Sequence, residues 1–158
     1  DIDSDEYQNS LDYKNYLGFN LVLYNQDKIN ICSSRGKEII KEKDKIFVIG
    51  NKAFGTSSNK LDLAKKEFDQ ILNTNFTNED LLNLMQSPQE SYDFDQKKLS
   101  ENHGNEFSAR FIHSSIYGTR STTVMTIDKN NYIEIKEQLY DQNGKIGQEK
   151  EFKFKVSL

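Results

Sequence analysis

The order of periodicities along this chain predicts an α+β fold. Strand-like alternation fills the first third, helical spacing of apolar residues the middle, and alternation broken by an Asn-Gly turn the end. Residues 1–15 are polar and acidic, with Tyr7, Leu11 and Tyr13 as weak helical anchors. Over 18–24, Phe19, Leu21 and Leu23 share one face while Val22 and Tyr24 share the other, which predicts a strand covered on both sides. Asn25, Gln26 and Asp27 supply turn chemistry. Ile29 and Ile31 then point inward along 28–33, completing a β-hairpin. A short strand is predicted at 38–40 and a clearer one over Ile46, Phe47, Val48 and Ile49.

Leu61, Ala64, Phe68, Ile71 and Leu72 recur at helical spacing, with Ser58 or Asn59 able to cap the start. Thr77 followed by Asp80 is a capping-box variant, and Leu81, Leu82, Leu84 and Met85 mark a second helix that ends before Pro88. Residues 89–105 are polar and predicted to be irregular. Interior strands are expected over 107–112 and 122–127. Asp128, Lys129, Asn130 and Asn131 turn the chain into a strand over 132–139, where Ile133, Ile135 and Leu139 alternate with Glu134, Lys136 and Gln138. Asn143-Gly144 is the strongest turn signal present, and it leads to Phe152, Phe154 and Val156, separated by Lys153 and Lys155. No repeat or linker divides the sequence, so residues 1–158 are expected to form a single domain.

Composition narrows the function classes. The 158 residues carry 21 Lys plus Arg against 25 Asp plus Glu, a formal net charge of −4. That balance disfavours a general phosphate-binding surface and hence nucleic acid as a partner. Apolar residues are 35% of the chain. Ile, Leu, Val and Phe still make up about a quarter of it, above the roughly 20% below which chains stay disordered. No apolar run approaches the roughly 18 residues of a membrane-spanning helix. The single cysteine, Cys32, excludes an internal disulfide.

Several patterns imitate chemistry without completing it. Asp1, Asp3, Asp5, Tyr7, Asn9 and Asp12 mimic the ligand spacing of a calcium loop, but Glu6 stands where the tight turn requires glycine and Asp12 replaces the long bidentate Glu. His103 and His113 have no further ligands at metal-binding spacing. Cys32 reads as a small apolar filler on a hairpin strand, and the Asn75-Phe76-Thr77 sequon as accidental. Asn51 and Arg120 are stronger candidates, because each lies at the mouth of an apolar strand, where sites tend to be built. An Asn amide can donate to a developing oxyanion and an Arg fork can hold a carboxylate. Their structural alternatives are a turn residue and a strand-end ion pair.

Tyr16-Leu17-Gly18-Phe19-Asn20-Leu21, Ser34-Arg35-Gly36, Ile49-Gly50-Asn51 with Thr56, and Tyr117-Gly118-Thr119-Arg120-Ser121-Thr122-Thr123-Val124 occur here in that order. Together they resemble landmarks of the NRDE-motif family, the transport and Golgi organisation protein 2 family. Gly144, Glu149 and Phe152-Lys153-Phe154 are similar to that family's closing hairpin. The likeness spans residues 11–156, and the Tyr-Gly-Thr-Arg block is its most specific part.

The resemblance implies the αββα sandwich of N-terminal-nucleophile hydrolases, here incomplete at its N-terminal side, with residues 1–158 as its C-terminal portion. It also implies that Asn51 and Arg120 are ligand-binding residues. The family's N-terminal Cys and Asn-Arg-Asp-Glu motif do not occur in the sequence, and Thr56-Ser57-Ser58 stands where the family tends to have Thr-Pro-Trp. The expectation is therefore a non-catalytic binding or scaffold module for haem or lipid and acyl-CoA handling. It would be an accessory subunit, or would pair with another protein chain that completes the fold, in mitochondria or cytoplasm. The alternative is part of a Cys N-terminal-nucleophile amide or thioester hydrolase whose nucleophile segment is missing here or lies on a separate chain. No metal is expected, and haem or acyl-CoA is the implied ligand.

Overall fold

A computed structural model describes residues 4–16, 18–25, 28–34, 36–40, 46–50, 58–86, 110–113 and 118–156. Within them the fold is α+β, as expected. Helix α1 (Ser4–Ser10) and a single 3-10 turn (Tyr13–Asn15) precede strands β1 (Asn20–Asn25), β2 (Lys28–Ser33) and β3 (Gly36–Ile40). Helices α2 (Asn59–Leu72) and α3 (Asn78–Gln86) follow, then β4 (Ser121–Ile127), β5 (Tyr132–Tyr140) and β6 (Ile146–Lys155). The strands form two antiparallel sheets, ordered β1-β2-β3 and β4-β5-β6.

The first sheet is built on the expected hairpin, in which Leu21 faces Cys32 and Leu23 faces Asn30. Helix α1 packs on β1 and β2. Its Asp5 Oδ1 accepts a hydrogen bond from Asn30 Nδ2 at 2.7 Å, and its buried residue is Gln8 rather than the anticipated Tyr7. The Tyr13 ring stacks on Phe19 at 5.6 Å. Burial, reinforced by the neighbouring Cys32, pushes the Tyr13 hydroxyl above the usual phenol range. Coverage of β1 on both sides is not found: Val22 and Tyr24 are 50% and 51% exposed.

The expected strand over residues 46–49 does not form, since residues 46–50 run as irregular, half-buried backbone. Gly50 shows why. Its carbonyl accepts from Asn20 Nδ2 at 2.9 Å, and a Cβ on it would lie 3.2 Å from Leu61. An apolar run thus buries itself against a helix and one strand end instead of joining a ladder. The strand expected over 107–112 is also absent in the part described, where residues 110–112 are non-regular and His113 forms an isolated bridge to Gly118.

Both helices follow their predicted caps. Ser58 Oγ accepts from Leu61 N at 3.3 Å. In α3, Asp80 Oδ2 accepts from Thr77 N and Thr77 Oγ1, at 2.8 and 2.7 Å, while Asp80 N donates back to Thr77 Oγ1. Those bonds hold the Asp80 carboxyl below its ordinary pKa. The core joins Leu81, Leu82 and Val124, with Phe68 and Ile71 packed against them.

Each connection of the β4-β5-β6 meander is locked by one aspartate. Asp128 Oδ1 accepts from the backbone of Asn130 and Tyr132, and Asp141 Oδ1 from that of Asn143 and Lys145, all at 2.8–2.9 Å. Both carboxyls are held below the usual range chiefly by these amides. On acidification the unfolded chain, with ordinary aspartates, protonates first and so binds more protons. The contribution is complete above the ordinary aspartate value of about 4 and is lost as pH falls through the depressed native values. Stability measured by urea titration is expected to decline in that window, less steeply in Asp141→Asn.

Gly144 adopts φ +70°, and a Cβ there would also come within 3.2 Å of the His113 ring. Gly144→Ala combines left-handed strain with that contact, and should cost about 1–3 kcal/mol in chemical denaturation.

The meander is amphipathic in an unexpected sense. Helix α3 covers the face bearing Thr122, Val124, Lys136 and Gln138. It does so partly by polar contacts: Asn78 Nδ2 donates to Glu134 Oε2 at 2.6 Å and Lys136 Nζ to Glu79 Oε2 at 2.9 Å. The opposite face carries Met125, Ile127, Ile133, Ile135, Phe152 and Phe154 in register. Met125, Phe152 and Phe154 on it are 56%, 55% and 46% exposed.

Candidate functional site

Arg120 is placed by the edge of the second sheet. It immediately precedes β4, and its carbonyl accepts from Tyr140 N at 3.0 Å, fixing the backbone against the end of β5. The preceding residues are tied down from another direction. Thr119 N donates to Ile112 O at 2.8 Å, and Thr119 Oγ1 accepts from Ile112 N at 2.9 Å. A Cβ at Gly118 would stand 3.3 Å from Ile112 O, so this close approach suits glycine.

The Gly-Thr-Arg part of the motif therefore forms a clasp between residues 112–113 and the β4–β5 end. Phe111 packs edge-on to Tyr140 at 4.7 Å, and His113 sits against the Gly144 turn. His113 and Arg120 are exposed. The arrangement gives a rigid backbone carrying a solvent-facing guanidinium at one sheet end, suited to holding an anionic group. If the side chain does no structural work, Arg120→Ala should change unfolding free energy by less than about 1 kcal/mol. Urea denaturation of the two proteins checks this.

Asn51 lies outside the described residues, as do His103, Asp1 and Asp3. Its neighbour Gly50 is anchored to Asn20 and Leu61, at the start of β1 and of α2 respectively. Cys32 is fully buried in the first sheet, facing Leu21 in the register, consistent with a packing role. Asp5, from the calcium-like spacing, is used on Asn30. No group of three or more His, Cys, Asp or Glu able to hold a metal occurs among the described residues. The sequon residues are exposed between α2 and α3, with Thr77 engaged as the α3 cap.

Two features escaped the sequence reading. One is a groove of about 550 Å³ between α2 and α3, floored by Ile71 and Leu84 and rimmed by Glu67, Asn75, Asp80 and Asn83. Its rim offers carboxylates and amides without a Ser, Cys or His. The other is Arg110, whose side chain is buried against Glu67. A charged residue inside an apolar segment was the available signal for it, masked by reading 107–112 as strand.

A family model described as Transport and Golgi organisation 2 matches residues 1–142 of the chain. No curated protein matches it. No helix among the described residues is long and apolar enough to cross a membrane.

Proposed function

Because the chain belongs to the Transport and Golgi organisation 2 family, we propose that it is a binding or scaffold module whose exposed sheet face engages another protein layer. One observation carries this reading. The β4-β5-β6 sheet has its polar-patterned face under α3, while Met125, Phe152 and Phe154 remain about half exposed on the other. A sheet with helices on one side and apolar side chains on the other has the polarity of one half of an αββα sandwich, which buries that apolar side on a second sheet. Leaving three large apolar side chains in water favours a covering partner. Ligand handling, for haem or a lipid such as acyl-CoA, is assigned to Asn51 and to Arg120 just before β4, with Arg120 as the anion-facing group.

Sedimentation of the isolated chain tests the partner reading. Concentration-dependent association is expected, and the double variant Met125→Lys/Phe152→Lys should abolish it while retaining the circular dichroism spectrum. A monodisperse monomer of the unaltered chain across the micromolar range overturns the proposal. For the ligand reading, titration of palmitoyl-CoA and of haemin should show binding that Arg120→Ala weakens with the fold intact. Equal binding by the variant removes Arg120 from the site.

A further inference from the structure

β6 is the outer strand of the second sheet, laddered to β5 on one side, and all ten of its residues are exposed. α3 rests on β4, at the other edge. The register with β5 is regular from Glu149 to Lys155, the irregularity falling earlier along β6, between Gln138 and Tyr140 on β5. Val156 N donates to Asn131 O, which makes that pair a hydrogen-bonded one. Such pairs alternate along an antiparallel ladder, so Phe152 and Phe154 direct their backbone groups at β5. Glu149, Glu151, Lys153 and Lys155 direct theirs outward. A long regular edge of this kind is a template for another strand, and proteins that avoid such pairing place repelling charges or a bulge on it.

The charges on β6 do the reverse. On the face it shares with Lys136 and Gln138, the strand reads Glu149, Glu151, Lys153, Lys155, two acids and then two bases. Laid antiparallel against itself about Phe152, this order sets Glu151 opposite Lys153 of the second copy. Glu149 then stands opposite Lys155 of the second copy, and two-fold symmetry repeats both pairs. Every charged cross-strand contact on that face is between opposite signs, the favourable case. Moving the centre to Glu151 or to Lys153, the next registers that keep the faces matched, sets two glutamates or two lysines against each other.

The backbone selects the same register. Centring on Phe152 brings the outward-directed groups of residues 149, 151, 153 and 155 together as hydrogen-bonded pairs. Phe152 meets its own copy at a non-hydrogen-bonded site, where side chains approach most closely, on the bare apolar face. Lys153 already pairs with Glu134 and Glu151 of its own chain, yet its side chain is 62% exposed and that of Glu151 53%. An ammonium with three donors and a carboxylate with two oxygens can each take a further partner.

We propose that β6 pairs antiparallel with β6 of a second copy of this chain, centred on Phe152, so that two three-stranded sheets become one of six strands. This contact is made by the sheet edge and does not rest on the partner proposed for the apolar face.

Sedimentation equilibrium of the full chain, in low and in high salt, tests the pairing. Dimers are expected, and they should weaken as salt rises, because exposed charge pairs are screened. Glu151→Lys and Lys153→Glu should each weaken dimerisation at least about tenfold, since both central pairs become like-charged. Mixed in equal amounts, the two variants should dimerise again, the lysines of one copy facing the glutamates of the other. Met125→Lys, on β4 at the far edge, should leave this dimer intact. Circular dichroism checks that each variant is folded, and Glu149→Lys mixed with Lys155→Glu repeats the exchange where a central variant does not fold. A monomer at every concentration, dimerisation unchanged by the single reversals, or a mixture that stays monomeric overturns the edge pairing. Association that Met125→Lys abolishes and the reversals leave unchanged also overturns it, and assigns self-association to the apolar face.

Discussion

Leu82→Ala is expected to lower the unfolding free energy by about 2–5 kcal/mol, the range for truncating a fully buried leucine. Leu82 has no exposed surface, and it packs with Leu81 and Val124, backed by Phe68 and Ile71. It thus joins α2, α3 and β4 at one point. Removing three carbons takes away their transfer energy and leaves a cavity that these three elements would have to move together to close. Domains of this size are stable by about 5–15 kcal/mol, so the variant should sit near its unfolding threshold. A urea titration with unchanged slope and a lowered midpoint is the signature. Met85→Ala, on the exposed side of the same helix, supplies the contrast and should stay within about 0.5 kcal/mol. Similar losses in the two variants would contradict the docking face of α3 described above.

The helices were the most legible part of the sequence because their signals are local. Ser58 and the Thr77–Asp80 pair act within one turn, and the 3.6-residue spacing of Phe68, Ile71, Leu81 and Leu82 already selects the core face. The meander was legible for the same reason, since Asp128 and Asp141 write their turns within four residues. Residues 46–50 failed because alternation and apolar content report burial, not ladder pairing. That run is half-buried, with Gly50 bonded to an Asn20 side chain and lying against Leu61. Faces were misread where polar side chains are covered: Gln138 is buried although its alternation reads as solvent-facing, and Phe152 is exposed although it reads as core. Period two fixes which residues share a face, but which face is covered depends on where a distant helix lands.

The site was legible to a lesser extent. The Gly-Thr-Arg motif did mark a structural junction, because Gly118 makes a close approach that disfavours a side chain and Thr119 closes two bonds to Ile112. Those roles are local enough to leave a recognisable string. The pairing of Arg110 with Glu67 left no such string: the two lie far apart in the sequence, and what makes Arg110 notable is the burial of its guanidinium beside that carboxylate. Such a cluster exists only after folding, when the apolar segment carrying Arg110 lies along α2.

Gln138→Leu is expected to cost about 1–3 kcal/mol, because it leaves hydrogen-bonding groups under α3 unanswered in a nearly closed space. Gln138 is almost fully buried. Its Oε1 accepts from Gln86 Nε2 on α3, and its Nε2 donates to Glu149 Oε1 at 2.7 Å. The Tyr140 hydroxyl lies 3.1 Å from both Gln138 Oε1 and Thr122 Oγ1, and it accepts from Gln86 Nε2 at 3.0 Å. Leucine nearly preserves volume, so the loss reads out polar satisfaction instead of a cavity. The partner variant makes the interpretation testable. Gln86→Leu alone should also destabilise, whereas Gln86→Leu/Gln138→Leu removes donor and acceptor together and should recover at least about 0.5 kcal/mol of the summed losses. Additive losses in this cycle would mean that the two glutamines act independently. They would also remove the polar network as the reason why α3 settles on the sheet face bearing Gln138 and leaves the aromatic face bare.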